Sequence, residues 1–150
     1  MTPRWRRPEQ PGDSPGFLLW RATLRWQRLV TAALRPLGLS HVQFVLLATL
    51  SWLDHDHDGG SPSQRQVAAT AGVDVMMASQ VLRVLENRGL VSRRADPADA
   101  RARLVSLTLE GSELATRALD VVEAVDAGFF ARADGSLLAT LRALDDVDDR

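Results

Sequence analysis

Apolar positions recur along this chain with helical spacing, interrupted once by short extended stretches. Phe17, Trp20, Leu24, Val30, Leu34 and Leu37 fall in steps of three and four, with Gln27 in the one missing place, which predicts a long amphipathic helix. Pro36-Leu37-Gly38 stops it, and Ser40 stands as the N-cap of the next. Val42 to Leu53 is apolar on nearly every face, the pattern of a short helix enclosed by its neighbours. Asp54-His55-Asp56-His57-Asp58-Gly59-Gly60 reads as a turn-rich loop. Ser63-Gln64-Arg65-Gln66 is a capping box that opens a helix of about two turns, closed by Gly72. Only Gly72 and Val73 separate it from a further helix, which Asp74 caps. Two short helices joined by a tight turn containing Gly make a helix-turn-helix pattern.

Beyond Gly89 the period changes. Leu90 to Arg94 and Arg103 to Thr108 read as extended strands of a hairpin with Asp96-Pro97-Ala98-Asp99 at its projecting tip. Helical spacing then returns: Leu114, Ala118, Val121, Val122, Val125 and Phe129 form one stripe. Leu137 or Leu138, Leu141 and Leu144 form another after a break at Asp134-Gly135-Ser136. The expected fold class is mainly α with a small β-hairpin.

Composition adds limits to this picture. A chain of 150 residues, 45% apolar and 25% charged, is expected to fold as one unit. Residues 1–15 hold four prolines and no periodicity, so a flexible tail is expected there and a single domain over 16–150. The absence of cysteine excludes a disulfide framework, a thiolate nucleophile and thiol-based redox sensing. The basic N-terminus leads into no apolar core, and Val42 to Leu53 is too short to span a bilayer, so a cytoplasmic protein with no membrane partner is expected. Net charge is only −1, yet residues 1–53 carry +5, residues 62–108 carry +3 and residues 109–150 carry −6. A basic middle beside an acidic C-terminal third suits a polyanion facing one part of the molecule.

The helix following Asp74 divides into two faces. Ala78, Val81, Leu82 and Leu85 cluster on the core side, while Met76, Ser79, Gln80, Arg83 and Asn87 cluster opposite. The outer set suits base edges: Gln80 for adenine N6 and N7, Arg83 for guanine or a phosphate, Ser79 for either, and Met76 for a thymine methyl.

Asp99-Ala100-Arg101 followed by Leu104-Val105-Ser106-Leu107-Thr108 and Gly111 resembles the MarR family of bacterial transcription regulators. Its hallmark is Asp-x-Arg at the tip of a wing, running into Leu-Val-x-Leu-Thr and a helix that begins near a Gly. Leu85-Glu86-Asn87-Arg88-Gly89-Leu90-Val91 resembles the same family's junction between recognition helix and wing. The resemblance implies a winged helix-turn-helix lobe over residues 40–108, with dimerisation helices over 16–39 and 109–150. It implies that Arg101 enters the minor groove while Asp99 holds it in place. A narrow groove concentrates negative potential, and a guanidinium on a short hairpin can reach it. Arg103, Arg93 and Arg94 are the further wing candidates, and Ser63, Gln64 and Arg65 those of the first helix of the pair. Met77-Ala78-Ser79-Gln80 departs from the Thr-Val-Thr-Arg-like stretch of many members, so only the position of the reading face carries over.

The implied function is a sequence-specific, double-stranded-DNA-binding repressor, acting as a homodimer on a pseudo-palindromic operator with no cofactor. The two terminal stripes need a covering that the wing and the helix pair cannot give. Family members also bind small aromatic or anionic effectors, for which Trp20, Trp26, Phe44 and Trp52 could line a space here, with Arg21, Arg25 or His41 available to an anionic group. Two other readings compete. The Asp54–Asp58 loop is metal-capable and would make a metal-responsive regulator, although no distant third ligand is evident. A winged-helix module can also bind protein instead of DNA. An enzyme is not expected, because no phosphate loop, nucleophile elbow or paired carboxylates are found.

Overall fold

The computed structural model describes residues 9–56 and 60–146. Helix α1 spans Pro15–Leu34 and starts two residues before the expected Phe17. The Ser14 hydroxyl accepts the Phe17 N–H at 3.3 Å, and Pro15 takes the first helical position, whose N–H needs no partner. A single 3-10 turn at Pro11–Asp13 precedes it, so the stretch expected as tail is ordered from there, and the rest of that expectation falls on residues 1–8, outside the described residues. Helix α2 spans His41–Asp56 and opens on a second capping box, Ser40 with Gln43. It runs two residues past Asp54 into the stretch expected as a loop, since no Gly or Pro precedes Gly59 to stop it.

Helices α3 (Gln64–Ala71) and α4 (Val75–Asn87) follow, then strands β1 (Val91–Ala95) and β2 (Arg103–Leu107), then α5 (Leu109–Phe129) and α6 (Leu137–Asp145). The strands pair antiparallel, Val91 opposite Leu107 and Ala95 opposite Arg103. Pro62 adds a short third line to the hairpin, its carbonyl accepting the Val105 N–H at 2.9 Å beside a Ser63–Leu104 bridge.

The core forms around α2, which is why its sequence lacks a polar face. Leu46, Leu47 and Leu50 are fully buried, with Val30 and Leu34 of α1 and Val67 and Ala68 of α3. Ala78, Leu82 and Leu85 of α4, Val105 of β2 and Ala118 of α5 complete the same cluster. Val81, expected in this core, is only half-buried. The ends of the chain differ: Phe17, Leu18, Leu19 and Trp20 of α1 and Leu138, Leu141 and Leu144 of α6 are exposed.

The lobe is joined to α5 by a close backbone contact. Thr108 caps α5 through the Gly111 N–H at 3.0 Å and donates its hydroxyl proton to the Gly89 carbonyl at 2.6 Å. A Cβ on Gly111 would lie 1.8 Å from the Leu90 carbonyl oxygen. Gly111→Ala is therefore expected to lower stability by about 1–3 kcal/mol through overpacking against backbone. Urea unfolding measures it, and an unchanged midpoint would show that the junction yields freely.

Candidate nucleic-acid interface

The helix pair is built by local rules. Ser63 and Gln66 cap each other, with Ser63 N–H donating to Gln66 Oε1 at 2.8 Å and Gln66 N–H to Ser63 Oγ at 3.2 Å. Gly72 stands at φ 69°, a left-handed conformation that side chains resist, and turns the chain so that α3 and α4 meet at 111°. The Asp74 carboxylate then accepts the Met77 N–H at 3.1 Å and starts α4. With Ala78, Leu82 and Leu85 buried, Met76, Gln80, Arg83 and Asn87 are exposed on the opposite side, and Ser79 is half-buried at its margin.

At the wing tip the chain bonds to itself. Asp96 N–H donates to the Ala102 carbonyl and Ala102 N–H to the Asp99 carbonyl, at 3.1 and 3.0 Å. The Asp99 carboxylate accepts the backbone N–H of Arg101 at 3.0 Å, and among the described residues it forms no ion pair with the Arg101 guanidinium. Asp99 thus holds Arg101 through the main chain and leaves the exposed side chain to reach outward. Ser63, Gln64, Arg65, Asp99, Arg101 and Arg103 line one concavity of about 960 Å³, so the start of α3 and the wing share a rim.

Arg93 corrects the sequence reading. Expected to face phosphates, its side chain is only 15% exposed and is fixed inside the lobe. One guanidinium nitrogen, Nη2, pairs with Glu86 Oε1 at 3.0 Å and the other, Nη1, donates to Gln64 Oε1 at 3.0 Å. Its backbone N–H donates to Glu86 Oε2 at 3.1 Å. This cation ties β1 to α3 and α4, and it engages Gln64, another residue expected to meet DNA. The hydrogen bond from Arg93 holds the Glu86 carboxyl below its ordinary range. The exposed cations between α3 and β2 are Arg65, Arg83, Arg88, Arg94, Arg101 and Arg103. Alternation along β1 turns Arg93 inward and leaves Arg94 out, a distinction that residue type alone does not carry.

Four of the effector candidates do not converge. Phe44 belongs to the core, Trp20 and Trp52 are 62% and 58% exposed, and Arg21 lies over the Phe17 ring at 5.9 Å on its own helix. The polar-aromatic cluster lies elsewhere. The Trp26 indole N–H donates to Asp126 at 2.7 Å, and the His41 ring meets Trp26 edge-on at 5.1 Å. Trp26 and His41 were legible as aromatic company for this region, but Asp126 sits 100 residues away and carries no local signal. The metal reading fares differently: its Asp54–Asp58 stretch lies partly outside the described residues, and among the described residues no group of three metal-capable side chains converges.

Comparison with known proteins agrees with this geometry. The ArnR1-like winged-helix domain family matches residues 37–126. A transcriptional regulator from a Rhodococcus species, solved by crystallography and assigned to the MarR family, superposes with a TM-score of 0.76 at 30% identity, covering 91% of this chain and 93% of its own. The chain belongs to the MarR family. Its winged helix-turn-helix is that of a transcriptional regulator, as in YdcH of Bacillus subtilis, a regulator of the same HTH type that is 45% identical over 123 residues and 82% of each chain. CouR of Rhodococcus jostii, solved with p-coumaroyl-CoA, is 31% identical with a TM-score of 0.78, covering 91% of this chain and 92% of its own. A transcriptional repressor also named CouR, solved bound to a 23-mer DNA duplex, is 25% identical with a TM-score of 0.78, covering 94% of this chain and 99% of its own. No single described helix of this MarR-family chain is long and apolar enough to cross a membrane.

Two predictions follow from the packing. Arg93→Ala should destabilise the lobe by about 1–3 kcal/mol, because Glu86 and Gln64 lose their partner together, whereas Arg94→Ala should change stability by less than about 0.5 kcal/mol. Chemical denaturation of both variants compares them. Burial lowers the His41 pKa, with Asp126 opposing, so the fold prefers the neutral ring. Below about pH 6.5 the unfolded chain binds a proton that the fold resists, so stability should fall from there toward acid and be unaffected above it. Melting at pH 7.5 and pH 5.5 should show a smaller acid loss for His41→Phe than for the unmodified chain, and equal losses would refute it.

Proposed function

We propose that this chain is a homodimeric repressor that binds a pseudo-palindromic DNA operator and acts by binding alone, in the cytoplasm. The observation that carries this reading is the wing tip: an exposed arginine on a backbone fixed by Asp99, on the same rim as the start of α3. Arg101 enters the minor groove, while Arg65, Arg94 and Arg103 neutralise phosphates. Met76, Ser79, Gln80, Arg83 and Asn87 face the major groove. Arg93 and Gln64 act inside the lobe, setting the angle between wing and reading helix.

The exposed apolar ends of α1 and α6 support dimerisation through residues 16–39 and 109–150. A two-fold dimer sets its reading helices one DNA turn apart, about 34–36 Å. The acidic C-terminal third then lies away from the phosphates. CouR's acyl-CoA ligand supports a small aromatic or anionic effector for this chain as well. The cluster of Trp26, His41 and Asp126, where α1, α2 and α5 meet, is better placed to respond than the separated Trp20 and Trp52.

Selection of duplexes from a random pool tests this reading. An enriched pseudo-palindrome is expected, with affinity falling steeply as salt rises, and Arg101→Ala should reduce that slope by about one. Gln80→Ala should weaken the enriched site by about 1–3 kcal/mol and random DNA far less. A pool that shows no enrichment would instead favour a module that docks protein.

A further inference from the structure

We propose that the first turn of α4 reads 5-methyl groups on the floor of the major groove, so that base pairs facing Val75, Met76 and Met77 are chosen for a 5-methylpyrimidine. The proposal rests on α4 being the reading helix. These are the first three residues of that helix, so they surround its tip, the end whose residues meet base edges in this geometry. They are 45%, 72% and 48% exposed. Single exposed apolar residues are ordinary, but three in a row at one helix tip form a patch, and the core side of α4 is already supplied by Ala78, Leu82 and Leu85.

The charges around this patch decide what it can face. Asp74 stands immediately before it, with a carboxylate that already accepts the Met77 N–H, so the tip carries negative charge where a phosphate contact would need a cation. The basic residues of α4 and its cap, Arg83 and Arg88, lie about two turns or more further on, and Arg88 is tied to the Gly38 carbonyl at 2.9 Å. A phosphate is therefore the poorer neighbour for Met76 and Met77, whereas Val75 borders the concavity that Arg65, Arg101 and Arg103 line. Among groups exposed in the major groove, the C5-methyl is the apolar one, carried by thymine and equally by 5-methylcytosine. Methionine's unbranched thioether adapts its shape to such a group more readily than a branched side chain would.

The test uses the full chain and its enriched duplex at fixed salt. Each thymine is replaced in turn by deoxyuridine, which deletes only the methyl, and in separate duplexes each cytosine is methylated at C5. One or two thymines per half-site should lose about four-fold in affinity as deoxyuridine, the worth of one buried methyl. If 5-methylcytosine is the source, methylation of a cytosine strengthens binding by a similar factor while deoxyuridine changes nothing. Met76→Ala combined with Met77→Ala, checked by thermal melting for an intact fold, should bring the ratio between methylated and unmethylated duplexes toward one. A ratio of one at every position in the unmodified chain overturns the proposal while leaving DNA binding in place, and so does a ratio that survives the double substitution. Failure to enrich any duplex overturns the reading of α4 itself, and the proposal with it.

Discussion

Whatever the helix-turn-helix lobe presents is referenced to α5 through one contact of backbone on backbone. Gly111 lies so close to the Leu90 carbonyl that no side chain fits between them, and Thr108 links the same two segments by bonding both Gly89 and Gly111. Leu90 follows the end of α4 and precedes β1, so the reading helix, the wing and the long C-terminal helix meet within a few residues. Rotation of one relative to the others would have to break this packing, which interiors of native density resist. Arg88 makes a second tie from the end of α4 to the turn between α1 and α2, through Gly38 and Gln43. The lobe is thus held both to α5 and to the turn that ends α1.

Within the lobe, charge serves two purposes that composition cannot separate. Arg93 is spent on geometry: it neutralises Glu86, engages Gln64 and holds β1 against both short helices. Arg101 is held by geometry, its backbone N–H bonded to Asp99 while its guanidinium stays exposed. A part-buried pair of this kind gives little net stability, because Arg93 loses hydration while the more exposed Glu86 leaves the attraction screened by water. Its value is orientation, since it can be satisfied at one wing angle only.

Local rules made most of the fold legible. The Ser63 capping box, the Ser40 and Asp74 caps and the Gly72 turn are determined within four residues, and the structure has them where the sequence placed them. The enclosed α2 was legible from its lack of a polar face. The outer face of α4 followed from helical period alone, Ser79 being the one residue half covered. What local rules miss is long-range pairing. The inward turn of Arg93 depends on strand alternation set by Pro62 and β2, and the Trp26–Asp126 bond joins helices at opposite ends of the chain. Trp20, Arg21, Phe44 and Trp52 stay apart within this chain for the same reason: aromatic residues on two helices say nothing about whether those faces meet. The small errors at the start of α1 and the end of α2 came from weighting apolar positions over the capping Ser14 and over the absence of a helix breaker.

The terminal helices connect stability to function. The second half of α1 is anchored by Val30 and Leu34, but its first half exposes Phe17 to Trp20, and α6 buries no residue at all. A nine-residue helix is marginal in water without packing, since nucleation is costly and few hydrogen bonds repay it. If a second copy covers it, as the proposed dimer requires, folding of the ends and association of two copies become one equilibrium. In the proposed dimer such an interface would fix the distance between the two α4 helices. The Trp26–Asp126 bond joins α1 to α5 beside His41 of α2. A polar bond in an aromatic setting can be exchanged for a bond to a ligand, which the aliphatic core around Leu46 and Leu50 does not offer, and this is the physical reason for proposing an effector response there.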